Sequence, residues 1–125
     1  MNKTVYCTVV SLITLCLIGN VAFAQKPLKV GDVLANPGEK KSGFIKVPKG
    51  MDGPEIQLPI TIINGVKDGP VLALTAGIHG YEYPPILALQ RLLKQVEPSQ
   101  ISGAVIMVHV VNMPSFLKRT TYYNP

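Results

Sequence analysis

The sequence predicts an α/β protein with a candidate site at the carboxyl edge of its sheet. Two strongly apolar runs at 71–76 and 103–111 read as strands, and a segment with helical periodicity at 82–96 lies between them. Polar residues follow each run directly. An apolar run without polar alternation is typical of a strand buried on both faces. Strand, helix, strand in this order predicts a parallel pair, so we expect 71–76 to be a central strand.

The helix is predicted from the spacing of its apolar residues. Ile86, Leu89 and Leu93 recur at helical intervals, with polar residues between them. Pro84 and Pro85 stand near the start, where proline is tolerated because the first amides of a helix have no intrahelical partner. The amphipathic pattern therefore predicts one helix that packs an apolar face on the sheet.

Two shorter strands are predicted ahead of this unit, at 43–47 and 56–62. Pro59 interrupts the second strand and removes a backbone donor, so we expect this strand to lie at a sheet edge or to be bulged. Residues 25–42 are rich in Lys, Gly, Pro and Asn and are predicted to form an extended lead-in.

The first 24 residues have the pattern of a secretory signal peptide. A short basic start is followed by the apolar stretch 4–19 and by Ala22-Phe23-Ala24 at the cleavage position. An uncleaved anchor is the alternative, but the apolar stretch is shorter than the roughly 20 residues that a membrane span needs. Leu15 before Cys16 argues against a lipoprotein site. We therefore expect a periplasmic or secreted protein with no stable membrane span after cleavage.

Composition excludes several classes of function. The 125 residues include two cysteines, at positions 7 and 16, so the chain after residue 24 has neither a thiolate ligand nor a cysteine nucleophile. The net charge is +5, but the lysines are scattered and tryptophan is absent. Without a basic stripe that alternates with aromatic residues, the sequence does not indicate a nucleic-acid partner.

The candidate site combines the residues that follow the two apolar runs. Gly77-Ile78-His79-Gly80-Tyr81-Glu82 follows the first run, and Asn112-Met113-Pro114-Ser115-Phe116 follows the second. In open α/β sheets, ligands bind beyond the carboxyl ends of the strands. An imidazole and a carboxylate three residues apart can converge on one point, and both are donors that zinc prefers. The alternative is a surface histidine with a glutamate favoured by the helix dipole.

These two segments resemble consecutive landmarks of the succinylglutamate desuccinylase/aspartoacylase family, which belongs with the zinc carboxypeptidases. The likeness is carried by Gly69–Glu82 and by Val111–Phe116, followed by Arg119 and Asn124-Pro125, and it runs from about Gly43 to the end. It implies a zinc-carboxypeptidase-like α/β/α sandwich around a mostly parallel sheet, with 43–125 as the N-terminal part of the hydrolase domain.

The resemblance also implies a zinc site that this chain holds only in part. His79 and Glu82 match the first two Zn2+ ligands of the family. The second ligand histidine, the general-base glutamate and an Asn-Arg pair are expected beyond Pro125, so no catalytic residue is assigned within these residues. On this interpretation the chain is an incomplete N-terminal piece. We expect His109 to be a strand histidine on a polar face rather than a ligand.

The implied function is hydrolysis of the amide bond of N-acyl amino acids or similar small substrates by an exported zinc enzyme. Arg119 is the candidate for binding a substrate carboxylate through a bidentate fork, with a solvated surface arginine as the alternative. Two other functions stay open: a carboxypeptidase-like enzyme acting on small peptides, and a non-enzymatic exported binding module with the same fold.

Overall fold

The computed structural model describes residues 25–49 and 53–123. Its strands are β1 Leu28–Val30, β2 Val33–Ala35, β3 Lys40–Val47, β4 Ile56–Asn64, β5 Lys67–Thr75 and β6 Ser102–Val108, and its helices are α1 Tyr83–Gln95, the 3-10 turn Pro98–Gln100 and α2 Met113–Lys118. The predicted signal peptide at 1–24 and the last two residues of the second landmark, 124–125, lie outside the described residues. Within the described part, no helix is long and apolar enough to cross a membrane.

The main sheet has four strands in the order β3-β4-β6-β5. β5 and β6 are parallel, with α1 between them in the chain, which confirms the predicted strand-helix-strand unit and the α/β class. β3 pairs antiparallel with β4, and β4 pairs antiparallel with β6. These four strands therefore form a mixed sheet in which one pair of the three is parallel.

The prediction that 71–76 forms a strand buried on both faces is wrong for the described residues. β5 is the last strand of the sheet, and the side chains of Val71 and Leu72 are 52% and 55% exposed. β6 is an inner strand instead, between β4 and β5, with Met107 fully buried. A continuous apolar run shows that a strand is able to bury both faces, but it does not identify the elements that cover them.

The prediction that Pro59 marks an edge strand or a bulge is also wrong. β4 lies between β3 and β6, and its pairing with β3 runs through Pro59 without a shift in register. The carbonyl of Pro59 accepts from the backbone N–H of His109 at 2.9 Å, so this residue faces the β6 side, and the β6 ladder starts only at Ile60. Pro59 stands opposite His109 and has no N–H with which to return this bond, so the missing donor falls at the end of the β6 ladder and not within it.

Residues 25–42, for which the sequence predicts an extended lead-in, contain the antiparallel β1-β2 hairpin and the start of β3. Val33 and Ala35 of the hairpin are buried against Ile60 and Ile62 of β4. The fully buried Asn64 fastens this region, because its amide donates at 2.9 Å to the carbonyl of Lys26 and at 2.9 Å to that of Ala35. Both amide hydrogens therefore have partners, as a buried polar group requires.

Helix α1 follows the predicted periodicity closely. Ile86 and Leu89 are buried and pack with Ala76 and Val110, which lie at the carboxyl edge of the sheet. At the other end of α1, the Lys40 ammonium donates to the carbonyl of Leu93 at 3.0 Å. The helix thus covers the sheet face opposite the hairpin, and its N-terminus comes directly after the candidate site.

Candidate active site

The segments that follow β5 and β6 lie side by side, as the sequence predicts for parallel strands. The N–H of Val111 donates to Ala76 O at 2.9 Å, and the N–H of Asn112 donates to Gly77 O at 3.0 Å. β6 itself ends at Val108, three residues before the predicted end. His109 still donates its backbone N–H to Pro59 of β4, and the residues that follow it run beside the end of β5.

Two glycines allow the turn that carries His79. Gly77 has a φ of +70°, a backbone conformation that side chains disfavour. Gly80 is required for space, because an added Cβ would overlap the Ser115 carbonyl and lie 2.6 Å from the carbonyl oxygen of Thr120. The turn is therefore built for close contact with the chain that follows helix α2.

His79 and Glu82 converge as their spacing predicts. The ring Nδ1 of His79 lies 2.6 Å from Oε1 of Glu82, and the backbone N–H of His79 donates to Oε2 at 3.1 Å. The two side chains are 43% and 36% exposed, so they are open to a ligand. Their role as metal ligands stays a prediction, but the geometry on which it depends is present.

The electrostatics of the turn keep the carboxylate charged. The hydrogen bond from the His79 side chain, followed by the one from its backbone N–H, lowers the pKa of Glu82 below its ordinary value of 4.5. Glu82 is therefore ionised throughout the neutral range and is an acceptor-only group there.

The donor set of this pair fits a zinc ion in part. Zinc binds imidazole nitrogen and carboxylate oxygen, and a catalytic site usually has three protein ligands with an open position for water. Within residues 25–49 and 53–123, no group of three or more His, Cys, Asp or Glu side chains is placed to hold a metal. His79 and Glu82 thus supply two donors of a suitable kind, and His109 is not brought to them.

Asn112 organises the second segment. Its side-chain oxygen accepts from the N–H of Ser115 at 3.0 Å and caps helix α2, as N-cap asparagines do. Ser115 is fully buried, and its hydroxyl accepts from the N–H of Tyr123 at 2.6 Å. The chain after α2 therefore folds back over that helix towards the His79 turn.

Arg119 ends helix α2 in the left-handed region, with φ 54° and ψ 45°. Glycine is the usual residue at such a position, and another residue pays roughly 1–2 kcal/mol there. The side chain is exposed. The next residue, Thr120, accepts from the N–H of Gly80 at 2.9 Å, so Arg119 lies on the segment that contacts the turn with His79 and Glu82. Its role in substrate binding stays a prediction.

His109 has a different environment from the one the sequence predicts. It lies just past the end of β6, half-buried, and its Nε2 contacts the hydroxyl of Thr61 at 2.8 Å. Thr61 in turn contacts the Ser42 hydroxyl at 2.8 Å, while Nδ1 of His109 is buried and finds no hydrogen-bond partner within the described residues. Burial lowers the pKa of His109 below its ordinary value of 6.5.

One contact at the site was not found from the sequence. The hydroxyl of Tyr81, which stands between the two proposed ligands, lies 2.7 Å from the hydroxyl of Thr121. Forty residues separate these side chains, and neither belongs to a recognisable pattern. Only the fold-back of the chain after α2 brings them together.

Comparison with known proteins agrees with the sequence resemblance. Residues 68–124 match the model of the succinylglutamate desuccinylase/aspartoacylase catalytic domain. The N-alpha-acetyl-L-2,4-diaminobutyric acid deacetylase of Halomonas elongata is 36% identical over 76 residues, which are 58% of this chain and 22% of that protein. The residues matched by the family model include the turn with His79 and the segment with Arg119.

Solved structures give the same assignment. An aspartoacylase family protein from Mesorhizobium loti superposes with a TM-score of 0.63 at 30% identity, over 78% of this chain and 30% of that one. The ectoine utilization protein of Ruegeria pomeroyi, solved with product bound, superposes with a TM-score of 0.59 at 30% identity, over 78% of this chain and 29% of that one. This chain thus spans between about a fifth and a third of the length of these relatives. It belongs to the succinylglutamate desuccinylase/aspartoacylase family.

Proposed function

We propose that the protein containing this chain is an exported, zinc-dependent hydrolase of the amide bond in N-acyl amino acids or similar small substrates. The observation that carries the proposal is the convergence of His79 Nδ1 and Glu82 Oε1 to 2.6 Å within the segment that matches the family. A deacetylase named for an N-alpha-acetyl amino acid is among the relatives, which favours an acylated amine as substrate.

His79 and Glu82 are proposed as two of the zinc ligands. A bound zinc ion polarises a carbonyl and lowers the pKa of water towards neutrality. Nδ1 of His79 is the ring nitrogen that faces the carboxylate, so we assign ligation to Nδ1. A ligating imidazole is neutral and presents a lone pair, so a proton on Nδ1 has to leave that atom before a metal binds there. The low pKa of Glu82 keeps the carboxylate ready as the second donor.

Arg119 is proposed to bind a carboxylate of the substrate. Its guanidinium is charged at all working pH values and offers a bidentate fork. The contact between Thr120 and Gly80 holds the start of this segment against the ligand turn. A carboxylate bound there would orient the amide of an N-acyl amino acid towards His79 and Glu82.

Zinc titration of the full-length protein, combined with an assay of amide hydrolysis, tests the proposal. We expect submicromolar zinc affinity, release of free amine from N-acyl amino acids, and loss of both in His79→Gln and in Glu82→Gln. His109→Gln is the matched control, because it changes the other histidine of the chain. Cleavage of small peptides in preference to acyl amino acids would identify a peptidase, and a folded protein without zinc binding would identify a binding module.

Export is a separate part of the proposal, which rests on the pattern of residues 1–24. Cell fractionation and N-terminal sequencing of the mature protein test it. We expect the mature chain to begin at Gln25 in the periplasmic or extracellular fraction. An intact Met1 in the cytoplasmic fraction would contradict it.

A further inference from the structure

The hydroxyl contact between Tyr81 and Thr121 joins two segments with different proposed tasks. Tyr81 lies between the proposed ligands His79 and Glu82, and Thr121 lies two residues after Arg119. The hydroxyl oxygens are 2.7 Å apart, within the range of a good hydrogen bond. A backbone bond from Gly80 to Thr120, at 2.9 Å, runs beside it. We call this pair of contacts the latch.

The latch is a local device rather than part of the hydrophobic core. The side chain of Tyr81 is 50% exposed, and Thr121 is exposed as well. A single neutral hydrogen bond at the surface adds little to the stability of a whole domain. It does fix the relative position of the two segments that it joins, which is the effect that a site assembled from separate loops requires.

The backbone of Arg119 supplies a second observation. The chain turns at this residue through a left-handed conformation, although glycine adopts that conformation more readily. A residue other than glycine in this conformation points to a task for its side chain, since strained residues gather at functional sites. The turn also brings Thr120 and Thr121 to their partners Gly80 and Tyr81. The position of Arg119 and the latch contacts are therefore set together.

We infer that Tyr81 is a positioning residue, which through its bond to Thr121 holds Arg119 at a fixed place relative to the His79 and Glu82 pair. This inference rests on the proposed function. On this inference Tyr81 contributes to substrate binding. It does not contribute to metal coordination, although Tyr81 lies between the two proposed ligands in the sequence.

The test uses the full-length protein and the variants Tyr81→Phe, Thr121→Val and their combination. We expect each single variant to raise KM for an N-acyl amino acid by about 3- to 10-fold, the range that one neutral hydrogen bond supports, with kcat within about twofold. The combination should add little to either single variant, because both remove the same bond. Thr121→Ser keeps the hydroxyl, so its KM should equal that of the wild type.

Two measurements that do not depend on turnover accompany the kinetics. Zinc affinity should stay within about twofold of wild type, since one neutral bond away from the ligand atoms is lost. Tryptic cleavage after Lys118 or Arg119 should become faster in both variants, because one of the contacts that hold the segment is lost. Tyr83→Phe is the matched control, because it also removes a tyrosine hydroxyl, while the ring of Tyr83 packs edge-on against Phe116 with the ring centroids 6.1 Å apart and the partner of Thr121 is Tyr81.

The outcomes separate this inference from the proposed function. A wild-type protein that neither binds zinc nor hydrolyses amides would refute the proposed function, and the inference with it. An active wild type with unchanged KM in Tyr81→Phe, or with weakened zinc binding and additive effects in the combination, would refute the inference alone.

Discussion

The two histidines of this chain lie in contrasting environments. His79 stands on an open turn, and its ring contacts the charged carboxylate of Glu82 at 2.6 Å. His109 lies half-buried past β6, and its ring contacts the neutral hydroxyl of Thr61 at 2.8 Å. Both are near the carboxyl edge of the sheet, so position along the sheet does not distinguish them.

The difference lies in what the neighbours of each ring can offer. The His79 pair is exposed and has two donor types that suit a metal ion. The ring of His109 contacts the hydroxyl of Thr61, which contacts the hydroxyl of Ser42, and both hydroxyls are neutral groups. These contacts link β3, β4 and the end of β6. We therefore expect His79 to serve the chemistry of the proposed site and His109 to hold strands together, and substitutions at each residue can contradict this division of roles.

Exchange of the two histidines for glutamine should have the largest and most unequal effect. In the full-length protein, His79→Gln removes a proposed metal ligand. Loss of a residue that only supports a ligand costs up to about 10²-fold in activity, so we expect loss of the ligand itself to cost at least that much. His109→Gln should keep most of the activity of its folded fraction. Steady-state kinetics at saturating zinc measure both. Equal losses in the two variants would contradict the division of roles.

Alanine at two glycines compares the same regions through their backbone. At Gly80 an added Cβ meets the backbone of Ser115 and Thr120, which cannot move without shifting α2. At Gly43 the obstacle is the side chain of Val33, which is able to adjust. We expect Gly80→Ala to cost about 1–3 kcal/mol of unfolding free energy and to weaken zinc binding, and Gly43→Ala to cost less and leave zinc binding intact. Denaturant unfolding and zinc titration check this.

The sequence predicts the strand-helix-strand unit because its signals are local. The apolar spacing of Ile86 and Leu89 identifies α1, and the glycines around His79 identify the turn that follows β5. The spacing of three residues between His79 and Glu82 is also local, so their convergence could be predicted before the strands were placed.

Features that depend on distant pairing could not be predicted in this way. The place of Pro59 inside the sheet depends on where the β6 ladder begins, and the exposure of Val71 depends on what packs beside β5. The contact of Tyr81 with Thr121 arises only after α2 turns the chain back. Each of these features depends on which distant residue packs or pairs with a given position. The neighbouring residues in the sequence do not determine it.

Removal of the Thr61 hydroxyl should have a smaller effect, confined to stability. Thr61 contacts both Ser42 and His109, so Thr61→Val leaves the two partners without this bond. We expect a loss of about 0.5–1.5 kcal/mol, the net contribution of an ordinary hydrogen bond, because Ser42 is exposed and His109 is half-buried. Thr61→Ser keeps the hydroxyl and should retain most of the stability. Thermal unfolding of both variants gives the comparison, and an unchanged midpoint in Thr61→Val would show that the hydroxyl chain is dispensable.

The smallest expected effect is a pH dependence that belongs to His109. Burial lowers the pKa of His109 below 6.5. Just below pH 6.5, His109 therefore binds a proton more readily in the unfolded chain than in the folded chain. The stability due to neutral His109 is therefore complete above about pH 6.5 and is lost as the pH falls towards the lowered folded value.

We expect unfolding midpoints measured from pH 8 to pH 5 to fall more steeply in wild type than in His109→Gln. The difference should stay below about 1 kcal/mol, because the half-exposed ring is screened by water. Parallel curves would mean that the charge on His109 is accommodated, and the contrast between the two histidines would then rest on Glu82 alone.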